Sequence, residues 1–168
     1  MLLASATTFA QAEPSKAETN VRAAILFNLV RFSYWQDDNP TFKDVDETDF
    51  VFCTCADTDF NLALKSMSGK PVHDRTMVVK VLDPKDTQTD GCQVLYFSGE
   101  SRIGRKNLSK LTEAGVLTVG DNSSALRGGS AMVIKRQETK LRFFINEDVV
   151  KDAGIKPSSK ILALAADR

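Results

Sequence analysis

The apolar run at residues 50–56 stands out first, because only Thr54 interrupts it and aromatic and β-branched side chains dominate it. Such a run predicts a strand buried on both faces. Asp57 follows at once and predicts an N-cap for a helix that runs to Ser68, with Gly69 ending it. A buried strand that leads directly into a capped helix is typical of a βαβ unit near the middle of a sheet.

The remaining pattern extends this unit in both directions. Apolar positions at steps of three and four predict an amphipathic helix over residues 19–35, with its buried stripe at Val21, Ala24, Ile25, Asn28, Leu29, Phe32 and Trp35. Further strands are predicted at residues 76–82, 92–97 and 116–119, with a helix from Ser101 to Ala114 closed by Gly115. This alternation implies parallel strands joined by right-handed crossovers.

The pattern changes towards the C-terminus. Two short strand patterns at residues 132–136 and 140–145, separated by three polar residues, predict an antiparallel hairpin. Asn146 predicts the cap of a short helix that ends at Gly154, and a last helix follows Pro157. The predicted fold is a three-layer α/β sandwich, with a mixed, mostly parallel sheet of about six strands, a C-terminal antiparallel hairpin and flanking helices.

Composition narrows the class of protein. The 168 residues include 22 lysines and arginines and 22 aspartates and glutamates. The chain therefore lacks the excess of basic residues that is expected of a nucleic-acid-binding protein. No run of 18 apolar residues predicts a membrane span. The segment Met1–Ala12 is small and apolar and ends in Ala10-Gln11-Ala12, which fits a signal-peptidase site. We therefore expect residues 1–16 to be a signal-peptide remnant and leader, and residues 17–168 to be one exported domain; a frayed cytosolic N-terminus is the alternative.

Candidate chemistry is sparse. His73 precedes Asp74, but adjacent side chains rarely face each other, and no Gly-x-Ser-x-Gly elbow supplies a nucleophile. One histidine and strand-borne cysteines do not provide a zinc site. Open α/β sheets bind ligands at the carboxyl ends of their strands, so a small-ligand crevice is an alternative site; its candidate residues are Asp57, Glu100, Asp121 and Asn122. Simple N-capping also explains these residues.

The three cysteines leave several states open. Cys53 and Cys55 lie on the same face of one strand, about 6.6 Å apart, too far for the roughly 3.8 Å between the β-carbons of a disulfide. Cys92 begins the third strand, which we expect beside the first. A Cys53–Cys92 bridge, a Cys55–Cys92 bridge and three buried thiols all remain compatible with the pattern.

Several stretches resemble the YfiR-like family. These are the helix at residues 21–35 with its asparagine, phenylalanine and tryptophan, the blocks at 52–60 and 92–97, Gly128-Gly129, and the C-terminal run at 141–162. The resemblance covers residues 17–165 and rests on the order and spacing of these blocks. It implies a Cys53–Cys92 disulfide; a second disulfide of the best-known member has no counterpart here.

The resemblance also implies a function. It indicates a periplasmic binding protein, not an enzyme and without a cofactor, that represses an inner-membrane diguanylate cyclase by holding the periplasmic sensor domain inactive. An outer-membrane lipoprotein that binds peptidoglycan would sequester the repressor. The rival function is a small-ligand sensor that uses the strand-end crevice. Homodimer formation is left open.

Two stretches are candidate partner surfaces. Phe32 and Trp35 place aromatic side chains at the end of the first helix, where they could act as hot spots. Glu147, Lys151 and Lys156 lie in the C-terminal helical region and could bind a partner through their charges. Packing against the sheet is the alternative for both stretches.

Overall fold

The fold was obtained as a computed structural model that describes residues 14–43, 46–83, 89–99 and 103–166. The candidate signal segment and Glu100 lie outside the described residues. The helices are α1 (Lys16–Arg31), α2 (Thr58–Lys65), α3 (Arg105–Glu113), α4 (Ser123–Gly128), α5 (Glu147–Asp152) and α6 (Ser159–Leu164). The strands are β1 (Ser33–Trp35), β2 (Asp49–Cys55), β3 (Pro71–Val72), β4 (Arg75–Val81), β5 (Val94–Phe97), β6 (Leu117–Gly120), β7 (Met132–Gln137), β8 (Lys140–Ile145) and β9 (Ile155–Pro157).

A seven-stranded sheet forms the middle layer, in the order β3-β4-β2-β5-β6-β7-β8. The five strands from β4 to β7 pair in parallel, whereas β3 and β8 pair antiparallel at the two edges. The predicted mixed α/β sheet is confirmed, with β3 as an additional short edge strand. The hairpin between β7 and β8 turns over two residues, with Glu138 in the left-handed region at φ 56°.

The two faces of the sheet pack against different helices. On one face, β2, β5, β6 and β7 pack against α1, α2, α5 and α6. On the other face, Leu108 and Leu111 of α3 and Ala125 of α4 pack against the same central strands. Among the described residues, no helix is both long enough and apolar enough to cross a membrane.

Helix α1 differs from its prediction in extent and in phase. It begins at Lys16, capped by Ser15, and ends at Arg31, so residues 33–35 are free to form β1. The buried positions are Thr19, Ala23, Leu26, Phe27, Leu29 and Val30. The predicted stripe is only partly correct: Leu29 is buried and Ile25, Phe32 and Trp35 pack against the core. The other three predicted positions are wrong, since Val21 is 52% exposed and Ala24 and Asn28 are also exposed. Seven of the eight residues 23–30 are apolar, and steps of three and four fit more than one face of such a helix.

At the other helices, some of the predicted starts and caps agree with the structure and others do not. Asp57 caps α2 as predicted, because its carboxylate accepts a 2.8 Å hydrogen bond from the Phe60 amide. Helix α3 begins later than predicted, at Arg105 after Gly104, and Ser101 lies outside the described residues. Helix α4 was not predicted. Asn146 precedes α5 without a capping hydrogen bond from its side chain.

A second, two-stranded sheet was also not predicted. Strands β1 and β9 pair antiparallel, with Ser33 opposite Pro157, Tyr34 opposite Lys156 and Trp35 opposite Ile155. We call this pair the ribbon. It joins the segment after the first helix to the segment before the last one.

A buried asparagine ties the ribbon to neighbouring turns. Asn39 is 4% exposed, and its amide nitrogen donates to the carbonyl oxygen of Ala153, 3.0 Å away, just before β9. Its side-chain oxygen accepts hydrogen bonds from the amide and the hydroxyl of Thr41. Every polar atom of the Asn39 side chain is therefore used in fixing loop backbone.

A disulfide joins Cys53 to Cys92, the pair that the family resemblance implies, with 5.8 Å between the two α-carbons. Both residues are fully buried on the face that α3 and α4 cover. Cys55 is outside the bridge and is also buried, with its sulfur 3.9 Å from the carbonyl oxygen of Tyr96. The disulfide covalently links β2 to the segment that leads into β5.

Candidate functional sites

The direction in which successive strands are added to the sheet reverses between β2 and β5. From β2 the chain passes through α2 to β4 on one side, and from β5 it passes through α3 to β6 on the other. A crevice at the carboxyl ends of two such strands is the usual ligand site of an open α/β sheet. The residues that follow β2, β5 and β6 lie along the edge of the sheet that is formed by the carboxyl ends of these strands.

N-capping accounts for part of the predicted crevice. Asp57 is exposed and caps α2, and the side-chain oxygen of Asn122 accepts from the Ala125 amide at 3.0 Å to cap α4. Asp121 has another position: it is partly buried and accepts a 2.9 Å hydrogen bond from the Asn122 side chain. Among the predicted residues that the structure describes, Asp121 is thus the one whose side chain does not cap a helix.

Two residues that the sequence did not indicate complete this edge. Tyr96, in β5, is 1% exposed, and its ring stacks on Phe60 with 3.9 Å between the ring centres. Arg22, on α1, donates to Glu18 at 3.1 Å, and Glu18 also pairs with Arg136 of β7. We call Arg22, Tyr96 and Asp121, together with Asp57, the strand-end cluster. The one sequence feature that could have pointed to these residues is the tyrosine at position 96, which is polar within an otherwise apolar strand.

The charges of the strand-end cluster act on one another. Burial raises the pKa of Asp121, and the nearby Arg22 charge and hydrogen bonds from Gly99 and Asn122 oppose this rise. Burial also raises the pKa of Tyr96 well above its usual value, while Arg22 lowers it and Asp121 and Asp57 raise it further. The Tyr96 hydroxyl is therefore protonated at physiological pH and lies close to all three charged groups.

The ribbon carries a second candidate site on its outer side. Tyr34 is 51% exposed and sits directly across from the exposed Lys156, so the two side chains share one face. The His73 ring lies 5.3 Å from the Tyr34 ring, and the Lys160 ammonium lies 5.2 Å from the Phe32 ring centre. We call these five residues, Phe32, Tyr34, His73, Lys156 and Lys160, the ribbon surface.

The structure separates the predicted partner residues. Trp35 points inward, since its ring packs edge-on against Phe50 at 5.1 Å and its indole nitrogen donates to the Gly115 carbonyl at 3.3 Å. Phe32 is half-buried and Lys156 is exposed, and both belong to the ribbon surface. Glu147 and Lys151 are exposed on α5, which leads directly into β9. The exposed aromatic residue of this region is Tyr34, one position before the predicted Trp35.

His73 has a local backbone role. It occupies the tight turn between β3 and β4 in the left-handed region at φ 55°, and its ring contacts Tyr34, Trp35 and Phe50. Across the described ranges, no group of three histidine, cysteine or acidic residues could hold a metal ion.

The geometry defines an open α/β domain that presents an exposed aromatic and cationic surface and a partly buried polar cluster. Residues 19–166 match the YfiR/HmsC-like family, and the chain belongs to that family. Membership supports a periplasmic regulator of cyclic-di-GMP signalling; the family's proteins are regulatory, not enzymatic, and generally interact with the periplasmic domain of a membrane diguanylate cyclase.

The fold is also found in a solved structure. The chain is similar to a conserved domain protein from Vibrio cholerae O1 biovar El Tor strain N16961, with a TM-score of 0.57 and 10% identity over 88% of this chain. It spans 59% of that protein's length, and at this identity the likeness shows the fold alone. A comparison with curated proteins finds no match.

Proposed function

We propose that this chain represses a membrane-bound diguanylate cyclase by binding its periplasmic sensor domain through the ribbon surface. The observation that carries the proposal is Tyr34, which stands 51% exposed on a strand whose backbone is paired to β9. Tyrosine is among the residues that contribute most to protein interfaces, and a backbone fixed before binding lowers the entropy lost on association.

The charge of the ribbon surface indicates the chemistry of the partner. Lys156 lies directly across from Tyr34, and the Lys160 ammonium lies over the Phe32 ring, so two positive charges accompany the aromatic side chains. Tryptophan or tyrosine rings and carboxylates on the cyclase domain would match such a surface. The outer-membrane lipoprotein would then relieve repression by covering the same surface.

Binding to the periplasmic domains of diguanylate cyclases from the same cell tests the proposal. We expect sub-micromolar affinity for one domain and a loss of about 30-fold in Tyr34→Ala, since hot-spot truncations cost about 2 kcal/mol and 1.4 kcal/mol is tenfold. Lys156→Glu should weaken the complex in a salt-dependent way.

Matched controls come from other surfaces. Leu62 of α2 is 60% exposed, so Leu62→Ala removes a similarly exposed apolar side chain elsewhere. Lys106→Glu reverses a charge on α3, which packs on the opposite face of the sheet. Both variants should bind as the wild type does. Binding that is lost in these controls but not in Tyr34→Ala would refute the ribbon surface, and no binding to any cyclase domain would refute repression.

A further inference from the structure

A group of basic side chains lies on the face of the sheet that α3 and α4 cover. Four of them are exposed on these two helices, where Arg105 also donates a 2.9 Å hydrogen bond to the backbone carbonyl oxygen of Arg127. The other three come from the hairpin of β7 and β8. We call the seven residues the basic face; they are Arg105, Lys106, Lys110, Arg127, Lys135, Lys140 and Arg142.

Lys135 shows which side of the hairpin belongs to this face. Its ammonium group donates to the hydroxyl of Ser123, the first residue of α4, at 2.8 Å. Val133, two positions earlier, packs in the core under α3 and α4. Arg142 lies directly across from Lys135, and Lys140 is two positions from Arg142. Because side chains alternate along a strand, all three basic side chains of the hairpin emerge on the side that carries α4.

These seven charges are not neutralised by ion pairs within the part of the chain that the structure describes. The ion pairs found there join Glu18 to Arg22 and to Arg136, on the other side of the sheet. Lys135 even lies directly across from Arg142, and like charges in opposite positions destabilise a sheet. Since the whole chain has as many acidic as basic residues, composition does not explain this concentration of positive charge.

Exposed acidic residues occur at the margins of the basic face. Glu113 is the last residue of α3, and Glu138 lies in the turn of the hairpin. Helix α5 carries three more exposed acids and meets α3, but its apolar residues pack on the other face of the sheet. The area between these margins is therefore positively charged, over two helices and the end of a hairpin.

The basic face is also poor in exposed apolar surface. The exposed large apolar side chains of the described chain belong to α1, α2, α6, the ribbon and the α2 side of β4; they are Val21, Tyr34, Leu62, Val81, Leu162 and Leu164. Protein interfaces have an apolar core, often with aromatic side chains, whereas attraction to an anionic lipid surface depends on lysine and arginine. The composition of the basic face therefore favours a lipid surface over a protein.

We propose that the basic face holds the protein against the surface of a bilayer that contains anionic phospholipids. Several lipid phosphates would contact the lysines and arginines of α3, α4 and the hairpin at once, and no part of the chain would enter the hydrocarbon. Such binding is reversible and is weakened by salt. The inference does not rest on cyclase binding. If repression holds as well, the bilayer would concentrate the protein beside the membrane-bound cyclase and leave the ribbon surface, next to α1 and α6, free.

Co-sedimentation of the full chain with lipid vesicles tests the proposal. The protein should sediment with vesicles of equal parts phosphatidylcholine and phosphatidylglycerol at low salt. It should stay in the supernatant with vesicles of phosphatidylcholine alone, and with the anionic vesicles at high salt. No sedimentation with the anionic vesicles, or equal sedimentation with the neutral ones, would overturn the proposal.

Lys140→Gln/Arg142→Gln removes two exposed charges of the basic face and leaves the core intact. Each lysine or arginine near an anionic bilayer raises the affinity about fivefold, so this double variant should bind the anionic vesicles about 25-fold more weakly. The matched control is Lys16→Gln/Lys65→Gln, which removes two exposed lysines from α1 and α2 on the other face. It should bind the vesicles as the wild type does.

Equal losses in the two double variants would overturn the basic face, because net charge alone would then decide binding. If the wild type ignores the vesicles and Lys140→Gln/Arg142→Gln loses the cyclase domain instead, the face docks a protein and the proposal is refuted. Binding of the soluble cyclase domain, measured without vesicles, reports separately on repression through the ribbon surface.

Discussion

Removing the disulfide should destabilise the fold strongly, and the size of the effect can be worked out from the structure. Cys53 and Cys92 are separated by 39 positions, so the bridge closes a loop of about 40 residues in the unfolded chain. In the chain-entropy model such a loop stabilises the native state by about 4 kcal/mol. This is a large share of the roughly 5–15 kcal/mol by which small domains are stable.

Urea unfolding of wild type and of the Cys53→Ala/Cys92→Ala double variant measures this difference. With a slope of about 2 kcal/mol per molar urea, a loss of about 4 kcal/mol lowers the midpoint by about 2 M. Cys55→Ala is the control, because it removes a buried thiol on the same face and leaves the bridge intact. Equal midpoints for the wild type with and without reductant would refute the reasoning, since the loop is closed only in the oxidised chain.

Three further substitutions test other parts of the structure. Asp121→Asn should raise stability at pH 7. Because the pKa of Asp121 is raised in the folded state, its carboxyl group contributes fully to stability below the ordinary pKa of 3.8, and this contribution is lost as pH rises through the folded-state pKa. The neutral asparagine does not suffer this loss. Urea midpoints at pH 4 and pH 7 check this, and equal changes at both pH values would contradict it. Gly120→Ala should cost about 1–3 kcal/mol, because the added methyl collides with the Ala125 methyl. Its control is Gly128→Ala, where the nearest atom lies 3.5 Å away and midpoints should not fall. Asn39→Ala should cost about 3 kcal/mol in chemical denaturation, because the Ala153 carbonyl and the Thr41 donors lose their partner; a loss below about 1 kcal/mol would refute the bridging role of Asn39.

The central strands could be predicted because their signals are local. The apolar run of β2 ends at an aspartate that caps α2, so periodicity and capping agree at one point. The phase of α1 could not be predicted, because the helix is apolar on most of its circumference and only the neighbouring elements select its buried face. The ribbon was missed because three-residue strands have no readable period and their pairing depends on a distant segment.

The candidate sites were predictable to a lesser degree. Asp57 and Asn122 were found at the correct edge of the sheet, but as caps they satisfy their own helices. Arg22 and Tyr96 come from a helix and a strand far apart in the sequence, and only the packing of α1 over the sheet makes them neighbours. Likewise, side chains alternate along β1, so Trp35 points inward and Tyr34 points outward. The sequence analysis placed these residues in a helix and could not predict this alternation.

The ribbon also has a consequence for how the protein matures. Its two strands come from residues 33–35 and 155–157, so they can pair only after residue 157 has emerged from the ribosome. Contacts between such distant segments form late in folding, because closing a long loop has an entropic cost that earlier contacts do not yet offset. A chain truncated before β9 cannot form the ribbon surface, even where the central sheet has assembled. Synthesis as far as β9 is thereby a precondition for the surface through which we propose that the protein binds its partner.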